Sequence, residues 1–271
     1  MKLLVITPTL GTSAWLAETL AAVAALGGAV RHVLVCPPAA AGRLRARAPA
    51  VEIIPDDRPG VYAALNRGLQ AGGEWEAFTW INDDDILLPG GIRAADALLA
   101  ASPACDVVYG RVDYFSGSGA GLGPLPVEDK PARLPALFAA GVPGLTQHGT
   151  LVRRTAAERL GLLDEQYRLA ADFDYWARAL TAGLSFAHVP QPVARYRLRP
   201  GQLSGEVDRA AAEIGESARR HFPGTSLLGA AGTRLRFRLR HLSDLGRRWQ
   251  LTGCVRSAAL YRLAAQEGLK S

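Results

Sequence analysis

Ala77-Phe78-Thr79-Trp80-Ile81-Asn82-Asp83-Asp84-Asp85-Ile86-Leu87-Leu88-Pro89 is an apolar run that meets three consecutive aspartates and then resumes toward a proline. The run Ala77–Ile81 reads as a buried strand, and helix-like sequence begins near Pro89. Carboxylates crowded at the exit of a buried strand repel one another, and an unpaired buried carboxylate is costly. A fold keeps such a cluster when a cation neutralises it, and adjacent oxygens suit a hard ion such as Mg²⁺ or Mn²⁺. The competing reading is a solvated acidic turn or a helix N-cap.

Outward from this stretch, strands and helices alternate. Lys2–Thr7, Val30–Cys36, Val51–Ile54 and Asp106–Tyr114 have strand character, with Pro37-Pro38 breaking the second. Trp15–Leu26, with Thr12 or Ser13 as cap, Val61–Ala71 and Gly91–Ala101 have helix character. A βαβ rhythm predicts a mostly parallel sheet with right-handed crossovers, and ligands gather at the carboxyl ends of such strands. The aspartates sit at one of those ends. Ser116–Pro126, with four glycines, reads as a mobile loop, either a surface excursion or a lid. A second passage follows: Thr150–Arg153 extended, Thr155–Leu160 helical, a helix to about Ala182, and strands at Phe186–Val189 and Val193–Leu198.

With 271 residues, 49% apolar and 21% charged, the chain has the make-up of one α/β domain with an appendage. Cys36, Cys105 and Cys254 lie far apart, which predicts neither disulfides nor a zinc site and fits a reducing, cytoplasmic compartment. The first residues read as a strand and not a signal peptide, and no apolar run reaches membrane-spanning length. The net charge of +6 is unevenly placed. Residues 1–204 carry 19 Lys+Arg and 19 Asp+Glu, whereas 205–271 carry 12 and 6. A neutral body with a basic tail argues against a nucleic-acid binder and for a local task in the tail.

The order of motifs resembles the family 2 nucleotide-sugar glycosyltransferases. Five segments carry the likeness: Ile6-Thr7-Pro8-Thr9, Asp57–Gly68, Trp80–Asp85, Gln147–Arg154 and Ala171–Trp176. The likeness covers about residues 2–204. The resemblance implies a GT-A-type α/β fold: a mostly parallel central sheet flanked by helices in a catalytic domain, 1–204, followed by a helical basic extension, 205–271. It implies an inverting, metal-dependent, hexosyltransferase-like enzyme that uses a nucleotide-sugar donor in surface polysaccharide or glycolipid assembly.

The resemblance also distributes roles. Asp84 holds Mg²⁺ or Mn²⁺, with Asp85 supporting the ion directly or through water; Asn82 and Asp83 hold the ribose or complete the ion's shell. Thr7, Pro8, Thr9, Asp57 and Asn66 lie on the donor side. Asp172 is the general base, because the attacking acceptor hydroxyl must lose a proton; Asp174 is either the alternative base or, by first-turn chemistry, a cap of the helix that follows. His148 and Arg154 fall on the acceptor or diphosphate side. So does Arg199, of the strand arginines Arg195, Arg197 and Arg199, unless these form a solvated basic face.

Two departures stand out. The stretch Cys36–Ala41 lacks the acidic, serine-rich segment that relatives use for the base, which leaves Asp56, Asp57 or backbone groups for that task. Arginines also stand where many relatives have a histidine. In the tail, Leu235, Leu239, Leu242 and Trp249 recur at helical spacing among arginines over 233–249. Such a helix either packs on the body or rests on a membrane's inner face beside a saccharide or lipid-linked acceptor. The alternatives are a sugar-phosphate nucleotidyltransferase, disfavoured because Thr7–Ser13 has one glycine and no Lys or Arg, and a non-enzymatic basic membrane-binding adaptor.

Overall fold

The computed structural model describes residues 1–254, 259 and 260. The part of the expected extension at 255–258 and 261–271 lies outside the described residues. Among the described residues, nine strands form one sheet: Leu3–Pro8 (β1), Val30–Cys36 (β2), Glu52–Pro55 (β3), Ala77–Trp80 (β4), Ile86–Leu87 (β5), Val107–Ser116 (β6), Gly121–Leu125 (β7), Leu151–Arg153 (β8) and Phe186–Leu198 (β9). Their order is β3-β2-β1-β4-β8-β6-β9-β5, with β7 on β6. The β3-β2-β1-β4 block is parallel. β8 enters antiparallel between β4 and β6, and β9 runs parallel to β6 along its length. β5 and β7 are antiparallel to their partners. The sheet is therefore mostly parallel, as expected, with the reversals confined to short strands.

The helices are Leu16–Ala24 (α1), Pro38–Arg47 (α2), Val61–Leu69 (α3), Pro89–Ala101 (α4), Leu134–Ala139 (α5), Arg154–Leu160 (α6), Ala171–Thr181 (α7), Val207–His221 (α8), Leu227–Arg240 (α9) and Leu242–Thr252 (α10). Both faces of the sheet are covered, which is why β1 reads as an unbroken apolar run. Leu4 and Ile6 join one core with Phe78, Trp80, Tyr175 and Trp176, while Leu3 and Val5 face the other with Val108 and Val112. Trp80 of β4 and Trp176 of α7 stack at 5.7 Å. That contact fixes the helix carrying Asp172 against the strand that leads into the aspartates.

Three local expectations are corrected. α2 carries no clear helical pattern in the sequence; the proline pair that ends β2 also starts this helix, with Pro38 in its first turn, where a missing N–H costs nothing. β9 is one strand and not two, passing Pro190 and Pro192 through register shifts opposite Arg111. The glycine-rich stretch forms a closed hairpin onto β7, with Ser116 N–H donating to the Ala120 carbonyl at 2.8 Å.

His32 on β2 places Nε2 3.0 Å from Thr7 Oγ1 on β1. Burial lowers its pKa from 6.5 to about 4. Between these values the unfolded chain binds a proton that the folded chain does not, so stability is lost as pH falls. Wild type is expected to lose about 2 kcal/mol from this group between pH 7 and pH 5. Urea unfolding of wild type and His32→Gln at both pH values measures it; equal losses in the two proteins would refute the assignment.

Candidate active site

The loop between β4 and β5 is held by its backbone. The Asp83 carbonyl accepts from Ser13 Oγ at 2.8 Å, that of Asp84 from Arg197 Nε at 2.7 Å, and that of Asp85 from Thr19 Oγ1 at 2.8 Å. The donors come from the segment before α1, from β9 and from α1 itself, so three elements fix three consecutive carbonyls. Ser13 does this in place of the expected helix cap; α1 begins at Leu16 and lacks a side-chain cap. Such a loop presents its side chains without reorganising.

The three carboxylates have separate surroundings. Asp83 Oδ2 accepts from Thr9 Oγ1 at 2.5 Å, and burial raises its pKa. Asp84 is buried, with Oδ2 2.5 Å from Arg199 Nε. Burial, then the neighbouring Asp85, pushes its pKa up to about 6, against the pull of Arg199. Asp85 is fully buried, with Oδ1 accepting from the Arg197 backbone N–H at 2.8 Å and Oδ2 from Asn82 Nδ2 at 3.0 Å. His148 Nε2 lies 3.2 Å from the same Oδ2 as a close pair without hydrogen-bond geometry.

This distribution decides how an ion could be held. Asp84 Oδ1 has no protein hydrogen bond among the described residues, whereas both oxygens of Asp85 are engaged. Asp85 thus holds the loop through both oxygens, while Asp84 keeps the more open one. No group of three or more His, Cys, Asp or Glu side chains converges as a ready cage among the described residues. The donor set fits an ion shared with a diphosphate and water, as Mg²⁺ prefers, and does not fit one held by protein alone.

Arg197 and Arg199 also divide. Arg197 is buried between Trp15 and Phe115, at 5.0 and 4.2 Å, and donates to Asp84, Gly117 and Glu18. It is a structural strut. Arg199 remains partly exposed on Asp84, and Arg195 reaches the Gly119 carbonyl at 3.2 Å.

Asp172 lies in the first turn of α7 and is partly exposed at its surface. Its Oδ1 accepts from the Phe173 N–H at 2.8 Å, with Tyr62 OH 3.4 Å away. Desolvation raises its pKa, against the pull of the Phe173 N–H, of neighbouring His148 and of the Tyr62 hydroxyl. His148 thus stands near both Asp85 and Asp172; its Nδ1 meets Thr146 Oγ1 at 2.5 Å and its ring stacks on Tyr196 at 4.3 Å. Gly149 beside it takes φ +70°, and a Cβ there would sit 2.9 Å from Val193, so only glycine lets this segment press against β9.

Several expected site residues lie elsewhere. Asn66 spends its amide on the segment before α7, exchanging hydrogen bonds of 2.9 Å with Leu163 and donating to Glu165 at 2.8 Å. Arg154 sits at the wrong end of the sheet. β8 runs antiparallel to β4 with Arg153 opposite Ala77, so a segment that starts at Gln147 beside Trp80 ends at the entrance of β4. There Arg154 pairs with Glu158 at 2.8 Å and covers Trp75. Thr7 and Pro8 are buried at the end of β1, the Thr7 hydroxyl facing His32. Asp57 is exposed, while Asp56 is taken by Arg58 at 2.9 Å. Asp174 is no cap: it is buried and accepts from Arg178 at 2.9 Å, Ser217 at 3.2 Å and His221 at 2.7 Å, tying α7 to α8. A cavity of ≈ 500 Å³ lined by Arg111, Lys130, Arg133, His188 and Arg240 shares no residue with this cluster.

The sheet order and the aspartate loop at the end of β4 define a GT-A-type fold, the one the resemblance implied. No family model matches the sequence, and no curated protein matches it. Solved structures do match. S. aureus TarS 1-349, in complex with UDP-GlcNAc, superposes with a TM-score of 0.64 at 16% identity over 90% of this chain and 73% of its own. Glucosyl-3-phosphoglycerate synthase from Mycobacterium tuberculosis, with Mn²⁺, UDP and phosphoglyceric acid, gives 0.57 at 16% identity over 82% and 78%. The mannosyltransferase PcManGT from Pyrobaculum calidifontis, with GDP-Man and Mn²⁺, gives 0.56 at 16% identity over 98% and 86%. At such identities the likeness is one of fold.

Proposed function

We propose that this chain is an inverting, metal-dependent glycosyltransferase of the family 2 type, moving a hexose-like sugar from a nucleoside diphosphate to an acceptor hydroxyl. The observation that carries the reading is the preorganised Asp83–Asp85 loop at the end of β4, with His148 beside Asp85 and in electrostatic reach of Asp172 on α7. UDP- and GDP-bound structures of the same fold support the donor class. A bound divalent ion, Mg²⁺ or Mn²⁺, would stabilise charge on the departing diphosphate. Asp84 would present its free oxygen to that ion, and Arg199 beside it would face phosphate oxygens. Thr9 and Asp83 would border the donor.

Asp172 would accept the acceptor's proton as the new C–O bond forms and the sugar–phosphate bond breaks. A raised pKa makes a carboxylate a better base near neutral pH. One displacement with one base inverts the anomeric carbon. A saccharide or lipid-linked acceptor and a place in surface polysaccharide or glycolipid assembly complete the reading. The free cysteines fit a cytoplasmic location, and no helix among the described residues is long and apolar enough to cross a membrane.

A thermal-shift series of nucleoside diphosphates with Mn²⁺ or Mg²⁺ tests the donor half. One nucleotide is expected to stabilise the protein by about 2.7 kcal/mol at a hundred times its Kd, and only with the ion present. A flat response to every nucleoside diphosphate would sink the reading.

A further inference from the structure

We propose that the outward face of α9, continued into the start of α10, docks on an anionic phospholipid bilayer. The sequence left two fates for the leucines of this region, packing on the body or contact with a membrane. The structure removes the first: Leu228, Leu235, Leu239 and Leu242 are 88, 57, 55 and 59% exposed. At 3.6 residues per turn, Leu228, Leu235 and Leu239 fall within about 40° of one another around α9. Ala230 and Phe237, the buried residues of α9, lie on the opposite side. The helix therefore has an inner face that is satisfied and an outer stripe that is apolar and bare. Exposed apolar surface of this extent on a folded protein marks an interaction site.

The arginines identify the occupant. Residues 225–254 hold six arginines and one carboxylate, Asp244. Arg234 and Arg240 work inward: Arg234 Nε donates to the Ala140 carbonyl at 2.8 Å and Arg240 to the buried Glu128 at 2.6 Å. Arg248 is also buried, donating to the Pro124 carbonyl. Arg236, Arg238 and Arg247 are exposed and meet no carboxylate within ion-pair distance among the described residues. Arg236 and Arg238 fall about 80° to either side of the leucine stripe. Their apolar stems lie along the boundary while the guanidinium groups reach phosphates, the arrangement of a helix lying in a lipid interface. A second copy docking on the same stripe by two-fold symmetry would oppose arginine to arginine. Anionic headgroups complement the pattern.

The inference rests on the helix alone and not on the transferase reading. Its test is sedimentation of the full chain with vesicles of phosphatidylcholine, with and without phosphatidylglycerol. Binding is expected on the mixed vesicles and at least about ten-fold less on the neutral ones. Arg236→Gln with Arg238→Gln should weaken it by about five-fold per arginine, and Leu235→Ser with Leu239→Ser by about ten-fold or more. All four side chains are exposed, so unchanged melting curves are expected for both variants. Absence of binding to mixed vesicles, or binding that neither variant changes, overturns the proposal. So does a dimer in sedimentation equilibrium that the leucine variant dissociates, which would assign the stripe to self-association.

Discussion

Asp172→Asn is expected to lower turnover by about 10²–10⁴-fold and to leave donor affinity within about two-fold, because a positioned general base contributes that much to a rate and little to ground-state binding. The substitution keeps the volume and can keep the hydrogen bonds from the Phe173 N–H and Tyr62 OH. It removes the one property at issue, the capacity to accept a proton. The first turn of α7 is anchored by the Trp80–Trp176 stack, so the variant should fold as wild type. Asp174→Asn makes a useful contrast. It disturbs a buried carboxylate shared by Arg178, Ser217 and His221, and should cost stability before it costs turnover. Turnover at saturating donor, with donor affinity measured by calorimetry, separates the two. An Asp172→Asn enzyme that kept more than about a tenth of wild-type turnover would place the base elsewhere.

The sequence made the α/β rhythm and the strand-end aspartates readable because both are local patterns. β1 and β4 declare themselves by apolar runs, and the Asp83–Asp85 cluster follows directly from β4. The residues that the structure engages away from the aspartate loop share a different property: their roles depend on distant partners. Arg154 lies seven positions after Gln147, but an antiparallel strand carries it to the far edge of the sheet. Asn66 sits in a donor-like motif, yet Leu163 and Glu165 consume its amide. Arg197 and Arg199 are alternate residues of one strand pattern, and only packing shows that Trp15 and Phe115 enclose one while the other stays open. α2 was hidden because a proline pair ends a strand and opens a helix equally well. The leucine stripe of α9 was visible as a pattern, but its outward direction was not, since periodicity defines a face without saying which way it points.

Asp85→Ala is expected to destabilise the protein by about 2–6 kcal/mol, the cost of leaving two donors that face a buried carboxylate unsatisfied. These donors lose their partner at once, the Arg197 backbone N–H and the Asn82 amide, and His148 loses the carboxylate beside it. For a chain of this size the melting temperature should fall by about 10 °C. Asp84→Ala should behave in the opposite way. Burial disfavours the Asp84 carboxylate enough to push its pKa up to about 6, so removing it relieves that desolvation, and Arg199 retains access to solvent. Its stability should stay within about 1 kcal/mol of wild type, while metal-dependent donor binding is lost. Neighbouring acids in one motif would then be separated by chemistry, one supporting the loop and one facing the ion. Melting curves of both variants, with and without Mn²⁺ and nucleoside diphosphate, measure the contrast. A well-folded Asp85→Ala that loses only the metal-dependent shift would make Asp85 the ligand and reverse the assignment.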